Sequence, residues 1–548
     1  ELIEDNYYYV DKTMYIEKLE NIAEKRIMFL RPRKFGKTLF TSMIENYYDI
    51  KKKDKFKKLF SETYIGKNPT KLRNCYFILR FNFSGIDTSS EEATIRGFRR
   101  EVASSIKLFA EKYKLDFYTN VEDDAENILD NLFKAFIIQK AFDKIYVIID
   151  EYDHFANELL SFNTNKFKDL VSRNGKIRKW YEILKKGTET VVDRIFITGV
   201  APITLDSLTS GFNILSDKTQ NEEFNEMLGF TKEELINLMN ELTIPEEIQS
   251  NLLPIMKENY DGYKFFAYAK QKIYNSNMCL YFLNEYTTSK QIPQKLVDVN
   301  IASDYSKLGK MLDICNTDNK LQILEKAVSG EGIIAEITEK FNPEVGFGEN
   351  EFASMLFYLG YLTITGEILG KVQLSIPNLI MKEIYSSYFI DKLGKTAELR
   401  IQESEYNKML EEIALQGEIN TLAEVLHKYL NNLSNRDFQR FDEKYIKLIC
   451  YCITMNLKLF SIKSELEVNR NYPDLVVVPR DRTKRYKSVM IEFKYLKKDE
   501  AGKLTEKQKE AKEQIVRYSE FEDIKDIEGL SKYTVVVVND EVYVEKID

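Results

Sequence analysis

Short unbroken apolar runs alternate along the first part of the chain with longer stretches whose apolar residues recur at helical spacing. The runs Arg26–Leu30, Cys75–Phe83, Lys144–Asp150 and Arg194–Thr198 predict buried strands. The stretches Ala93–Tyr113 and Ala125–Lys140 predict helices, and Leu39, Met43, Ile44 and Tyr47 share one face of another. Buried strands alternating with helices predict a parallel sheet covered on both faces. From Thr231 to about Leu283 the pattern is mostly helical. A helix over Phe352–Leu359 and strands over Tyr361–Ile364 and Val372–Ile376 predict a small winged-helix-like unit. Helices over Thr396–Asn432 lead into a last segment. There Tyr445–Asn456 and Glu506–Tyr518 read as helices. Ser464–Val468, Asp474–Val478 and Ser488–Lys494 read as strands, and Thr534–Val538 with Glu541–Glu545 as a hairpin around Asn539-Asp540.

Candidate chemistry sits at the ends of these runs. The first leads into Arg31-Pro32-Arg33-Lys34-Phe35-Gly36-Lys37-Thr38 and then a helix. Gly36-Lys37-Thr38 is the second half of a phosphate-binding loop, in which backbone N–H groups and the helix start cradle phosphates. Lys37 would reach the β and γ phosphates, and the Thr38 hydroxyl would hold Mg²⁺. Arg31 stands where the full pattern begins with glycine. The run Ile145–Ile149 ends in Asp150-Glu151, a carboxylate to hold the Mg²⁺ water shell and a base for the attacking water. The run Ile195–Ile197 ends in Thr198, placed to sense a γ-phosphate.

Near the C-terminus, Asp474 opens the apolar run Leu475–Val478, and Glu492 and Lys494 lie two apart on the next run. Strand alternation points Glu492 and Lys494 to one face. An antiparallel pair joined by the loop Pro479–Lys487 would bring Asp474 to Glu492, giving the oxygen ligands that Mg²⁺ or Mn²⁺ prefers. Lys494 would hold a phosphate oxygen or steer water. The basic residues Arg480, Arg482, Lys484, Arg485 and Lys487 would grip a phosphate backbone without reading sequence.

Composition narrows the partners. The chain has 548 residues, 44% hydrophobic and 30% charged, with net charge −8. That charge excludes a basic coat, so nucleic-acid contact must be local. The run Lys51–Lys58 reads as a solvated helix end. Five scattered cysteines without a C-x₂-C pair fit a reducing cytoplasm, and two histidines exclude a His-rich zinc site. No apolar run is long enough to span a bilayer.

These motifs resemble the bacterial and archaeal two-domain proteins with an AAA-ATPase-like N-terminal domain and a PD-(D/E)XK nuclease C-terminal domain. Val10-Asp11-Lys12-Thr13, the Arg31–Thr38 loop and Asp150-Glu151-Tyr152-Asp153 are similar to motifs of that family. So are Thr198-Gly199-Val200, Gly229-Phe230-Thr231, Tyr260-Asp261-Gly262-Tyr263, Leu359-Gly360-Tyr361-Leu362 and Ile376-Pro377-Asn378. The family loop also carries Arg-Pro-Arg. The resemblance implies a P-loop domain over 1–228, a helical lid and winged-helix-like region over 229–400, a helical linker over 401–435 and a restriction-endonuclease-like α/β domain over 436–548. It implies Glu443 as a third acidic ligand, and Gln514 and Tyr518 beside the metal site. Tyr472-Pro473 departs from the Gly-Arg that the family often has before the aspartate. The expected function is an ATPase coupled to a metal-dependent nuclease acting on nucleic acid, DNA in the first instance with RNA left open, with ATP and Mg²⁺ or Mn²⁺ as cofactors and a homo-oligomer as one assembly state. The alternatives are a regulatory NTPase that binds nucleic acid without cutting it, and an assembly protein that ATP only orders.

Overall fold

The computed structural model describes residues 3, 5, 7–119, 123–140, 142–154, 176–202, 212–293, 295–297, 320–339, 341, 348–396, 400–432, 442–464, 472–480 and 484–547. The first apolar run forms β1 (Arg26–Leu30), followed by β2 (Phe77–Asn82), β3 (Ile145–Asp150), β4 (Val192–Gly199) and the short β5 (Ser216–Asp217). They make one parallel sheet in the order β2-β3-β4-β1-β5. Every residue of β3 is buried, as an interior strand covered on both faces requires. The order places β4 between β1 and β3. The Arg31–Thr38 loop, Asp150 and Thr198 thereby lie at the carboxyl ends of adjacent strands, where open α/β sheets bind ligands.

Helices complete the layers. Ser90 caps the helix Glu91–Tyr113 by accepting from Ala93 N–H at 3.1 Å. The helix buries Phe98, Val102, Ile106 and Phe109. Trp180, the chain's one tryptophan, lies on the helix Lys176–Gly187 with ring edges against Phe81, Phe83 and Phe98.

The chain divides into two compact units, Glu1–Lys320 with Ile334–Asn378, and Leu321–Ile333 with Leu379–Asp548. The first also holds the helices Lys232–Glu241, Glu246–Tyr260, Ser276–Ser289 and Glu349–Tyr358. A hairpin, Thr363–Ile368 with Lys371–Ser375, follows the last of these. It turns through Leu369-Gly370, both at positive φ (53° and 77°), as a tight right-twisted hairpin needs.

The second unit has a mixed five-stranded sheet. Its order is Glu541–Ile547, Leu530–Val538, Ser488–Leu496, Leu475–Pro479, Phe460–Lys463. Only the Ser488–Leu496 and Leu530–Val538 strands run parallel, with the helix Leu504–Ser519 between them in sequence. The last hairpin turns at Asn539-Asp540 as expected. A strand, Phe460–Lys463, ends just before the one expected over Ser464–Val468; Ser464 itself is not in a strand, and 465–468 lie outside the described residues. Among the described residues no helix is long and apolar enough to cross a membrane.

Candidate active sites

The candidate phosphate-binding loop Arg31–Thr38 is built by two left-handed residues, Lys34 (φ 68°) and Gly36 (φ 96°), before the helix Lys37–Tyr48. Lys37 is buried, and its ammonium donates to the carbonyls of Arg31 and Pro32 at 3.1 Å each. Burial pulls its pKa down, opposed chiefly by Glu151, whose Oε1 lies 4.0 Å from Nζ. Thr38 is exposed on the first turn. Asp150 is fully buried at the end of β3. Its Oδ2 accepts from Arg80 at 3.2 Å and Thr41 at 3.3 Å, while Oδ1 has no hydrogen-bond partner among the described residues. That orphaned carboxylate oxygen, together with the Thr38 hydroxyl, fits a hydrated Mg²⁺. Glu151 sits at φ 52°, a conformation that a non-glycine residue adopts only when its surroundings impose it. Thr198 donates to the Phe29 carbonyl on the neighbouring β1 at 2.8 Å.

Asp153 is the part of this site that the strand-end pattern did not single out. It is buried, and its carboxylate accepts from the backbone N–H of Val200 (3.0 Å) and Ala201 (2.8 Å), tying the turn after β3 to the turn after β4. A side chain at Gly199 would meet Asp153 Oδ1 at 2.1 Å, so the tie needs that glycine.

Arg31 does not line the phosphate loop. Its guanidinium turns inward and donates to the carbonyls of Leu30, Thr219 and Phe224, each at 2.9 Å. It lies between the rings of Phe29 (4.2 Å) and Phe265 (3.9 Å). Burial draws its pKa down to about 9. The glycine-rich entry is thus replaced by an internal anchor. Remote motifs pack on the same loop and on one another. Gly229 N–H donates to the Phe35 carbonyl at 3.2 Å. A Cβ at Gly360 would lie 2.8 Å from Pro32, and one at Gly262 only 2.0 Å from the Pro377 carbonyl. Asn378 donates to the Asp261 carbonyl at 3.0 Å.

Beside the loop opens a cavity of about 580 Å³. Its lining includes the polar Arg33, Lys34, Lys37, Thr38 and Glu151 and the apolar Tyr9, Val10, Leu228, Phe230, Leu238 and Leu280. His154 joins the lining, and Asp150 and Thr198 do not.

In the second unit, Asp474 and Glu492 come together as the strand pairing predicts: Leu475 pairs with Ile491 across an antiparallel ladder. Both side chains are buried, as is Lys494. Asp474 Oδ2 accepts from Phe493 N–H at 2.7 Å, and Lys494 Nζ lies 3.2 Å from Glu492 Oε1. Glu443 stands in the first turn of the helix Glu443–Met455, capped by Asp442, and its Oε1 lies 3.5 Å from Lys494. Lys447, one turn further along, was missed. Its Nζ lies 2.5 Å from Asp474 Oδ1 and 2.9 Å from Glu443 Oε1. In sequence it reads as an ordinary i,i+4 surface partner of Glu443.

Burial first and Glu492 second push the Asp474 pKa well up, and burial also raises Glu492. Burial works against the charge on Lys447, but Asp474 and Glu443 outweigh it and hold its pKa high. Two buried neighbouring carboxylates need positive charge, so this donor set fits a divalent cation. Among the described residues, however, no three His, Cys, Asp or Glu side chains form a ready metal cage. Two lysines stand among the three carboxylates. Tyr518 packs in an apolar cluster with Tyr472, Val476, Met490 and Ile515, so Tyr472 is a core residue here. Gln514 Oε1 is buried without a partner among the described residues. Arg480 pairs with Glu383, while Lys484, Arg485 and Lys487 are exposed; Arg482 lies outside the described residues.

Residues 1–209 match the family model described as Predicted AAA-ATPase, and residues 441–547 match the PD-(D/E)XK nuclease superfamily. No curated protein matches the chain. The chain therefore joins an AAA-ATPase-like domain to a PD-(D/E)XK nuclease superfamily domain.

Proposed function

We propose that the first unit binds and hydrolyses ATP and that the second cuts nucleic acid, DNA in the first instance, with a divalent metal. The observation that carries the first half is the cavity beside Gly36, Lys37 and Thr38. Its basic residues can hold phosphates and its apolar residues can cover a base. Bound Mg²⁺ would supply charge neutralisation at the β and γ phosphates. Lys37 leaves its two carbonyl partners to bind phosphate, Thr38 and Asp150 hold the cation's shell, and Glu151 takes a proton from the attacking water. Arg80 orients Asp150. Thr198 acts at the γ-phosphate through its place between β1 and β3.

In the second unit, Asp474 and Glu492 would hold the metal with Glu443 beside them. The metal would activate water and polarise the scissile phosphate. Lys494 stabilises the charge that develops on phosphate oxygens. The nucleotide state would act on the nuclease through the motifs that pack on the phosphate loop.

Plasmid, linear and single-stranded substrates with and without ATP, Mg²⁺ and Mn²⁺ test both halves. Glu151→Gln should retain bound ATP and stop turnover. Asp474→Asn should abolish metal-dependent cleavage while ATP turnover persists. Cleavage that survives Asp474→Asn refutes the nuclease assignment. ATP binding and turnover unchanged in Glu151→Gln refute the hydrolytic one, leaving ATP to order an assembly.

A further inference from the structure

The Asp474 site is already partly neutralised from within. Asp474 spends one carboxylate oxygen on the Phe493 N–H and the other on Lys447. Glu443 Oε1 faces both Lys447 and Lys494. Three carboxylates thus share two ammonium groups. The two lysines are not equivalent. Lys494 lies beside Glu492 on the same strand and reaches its Oε1. Lys447 comes from a different element, the helix Glu443–Met455, and bridges the two acids that a metal would have to reach from that side. Its side chain is 11% exposed, so its charge is little screened by water.

We propose that Lys447 is an intramolecular counter-ion that competes with the divalent cation for Asp474 and Glu443. It holds the acids together without metal, and its ammonium must move aside before the cation can take the Asp474 oxygen. This rests on the metal-dependent reading of the site. Its consequence is a threshold: the acids bind metal more weakly than their number implies, and the nuclease responds to cation concentration rather than staying loaded. An ammonium and a divalent ion cannot both occupy one carboxylate oxygen at contact distance without strong repulsion.

The test is Mn²⁺ binding to the full chain without nucleotide or nucleic acid, read by calorimetry and by the loss of the free-ion paramagnetic resonance signal. Binding at this site is the part lost in Asp474→Asn. Lys447→Met removes the charge and keeps the length, and should bind Mn²⁺ at least tenfold more tightly. Lys447→Arg keeps the charge and should show no such gain. The metal concentration for half-maximal cleavage should fall in Lys447→Met in parallel. Lys447→Gln, read the same way, replaces the Met variant if that one does not fold by circular dichroism.

Wild-type binding that is unchanged or weakened in folded Lys447→Met or Lys447→Gln overturns the proposal and makes Lys447 a brace between helix and sheet. If wild type and variants alike show no component sensitive to Asp474→Asn, the metal-dependent reading itself fails.

Discussion

Replacing Arg31 by glycine restores the usual first residue of a phosphate loop, yet the structure makes it one of the most damaging changes available. The guanidinium makes three hydrogen bonds of 2.9 Å to main-chain carbonyls and lies between two aromatic rings. A hydrogen bond from a charged donor contributes roughly 1.5 kcal/mol at the low end, and the orphaned carbonyls have no water to turn to. The ring contacts add about 1 kcal/mol or more where they are desolvated. The loss is therefore on the order of 5 kcal/mol, in the range that only a few mechanisms reach. Trp180 reports the first unit alone, because it is the one tryptophan and is buried there. Denaturant unfolding followed by its fluorescence should show a large drop in the midpoint for Arg31→Gly. Arg31→Lys should recover less than half of the loss, since one ammonium cannot span all three carbonyls. A midpoint within about 0.5 kcal/mol of wild type, the range of ordinary surface changes, would refute the anchor.

Gly360→Ala forces a left-handed alanine, at about 1–2 kcal/mol, and drives its Cβ into Pro32, 2.8 Å away; titration with a fluorescent ATP analogue should show weaker binding by severalfold, although residue 360 does not line the cavity. Lys37→Met removes a buried ammonium held by two carbonyls. It should leave the nucleotide-free protein as stable or about 1 kcal/mol more so by Trp180 unfolding, while ATP binding is lost. The folded pKa of Asp474 lies well above its unfolded value and that of Glu492 also lies above, so the folded state holds protons that the unfolded chain releases. Their contribution to stability is present below the ordinary carboxylate range and is lost as pH rises through the folded values. Metal-free second-unit stability, followed by near-ultraviolet circular dichroism, should therefore fall as pH rises there, and Mg²⁺ should offset the fall. The same slope with and without Mg²⁺ would contradict this.

Local patterning along the chain sets the elements and the residues with local chemistry. Apolar runs marked β1, β3 and the Asp474 and Glu492 strands, because a buried strand must be apolar at nearly every position. Gly36-Lys37-Thr38 was legible because the loop needs a left-handed residue before its lysine. Glu492 and Lys494 were legible as one face because a strand repeats every two residues. Which strands become neighbours is set by long-range packing. Nothing local says that β4 enters between β1 and β3, or that the strand beside Leu475–Pro479 is Phe460–Lys463. Nor could the sequence turn Arg31 inward, since its partners Thr219, Phe224 and Phe265 come from remote segments. Lys447 was hidden for the same reason: four residues from Glu443 it has the spacing of a solvated helical pair, and only the packing of its helix on the sheet brings Asp474 to it. Local periodicity fixes which way a side chain faces along its own element; what it meets there depends on contacts between distant parts of the chain.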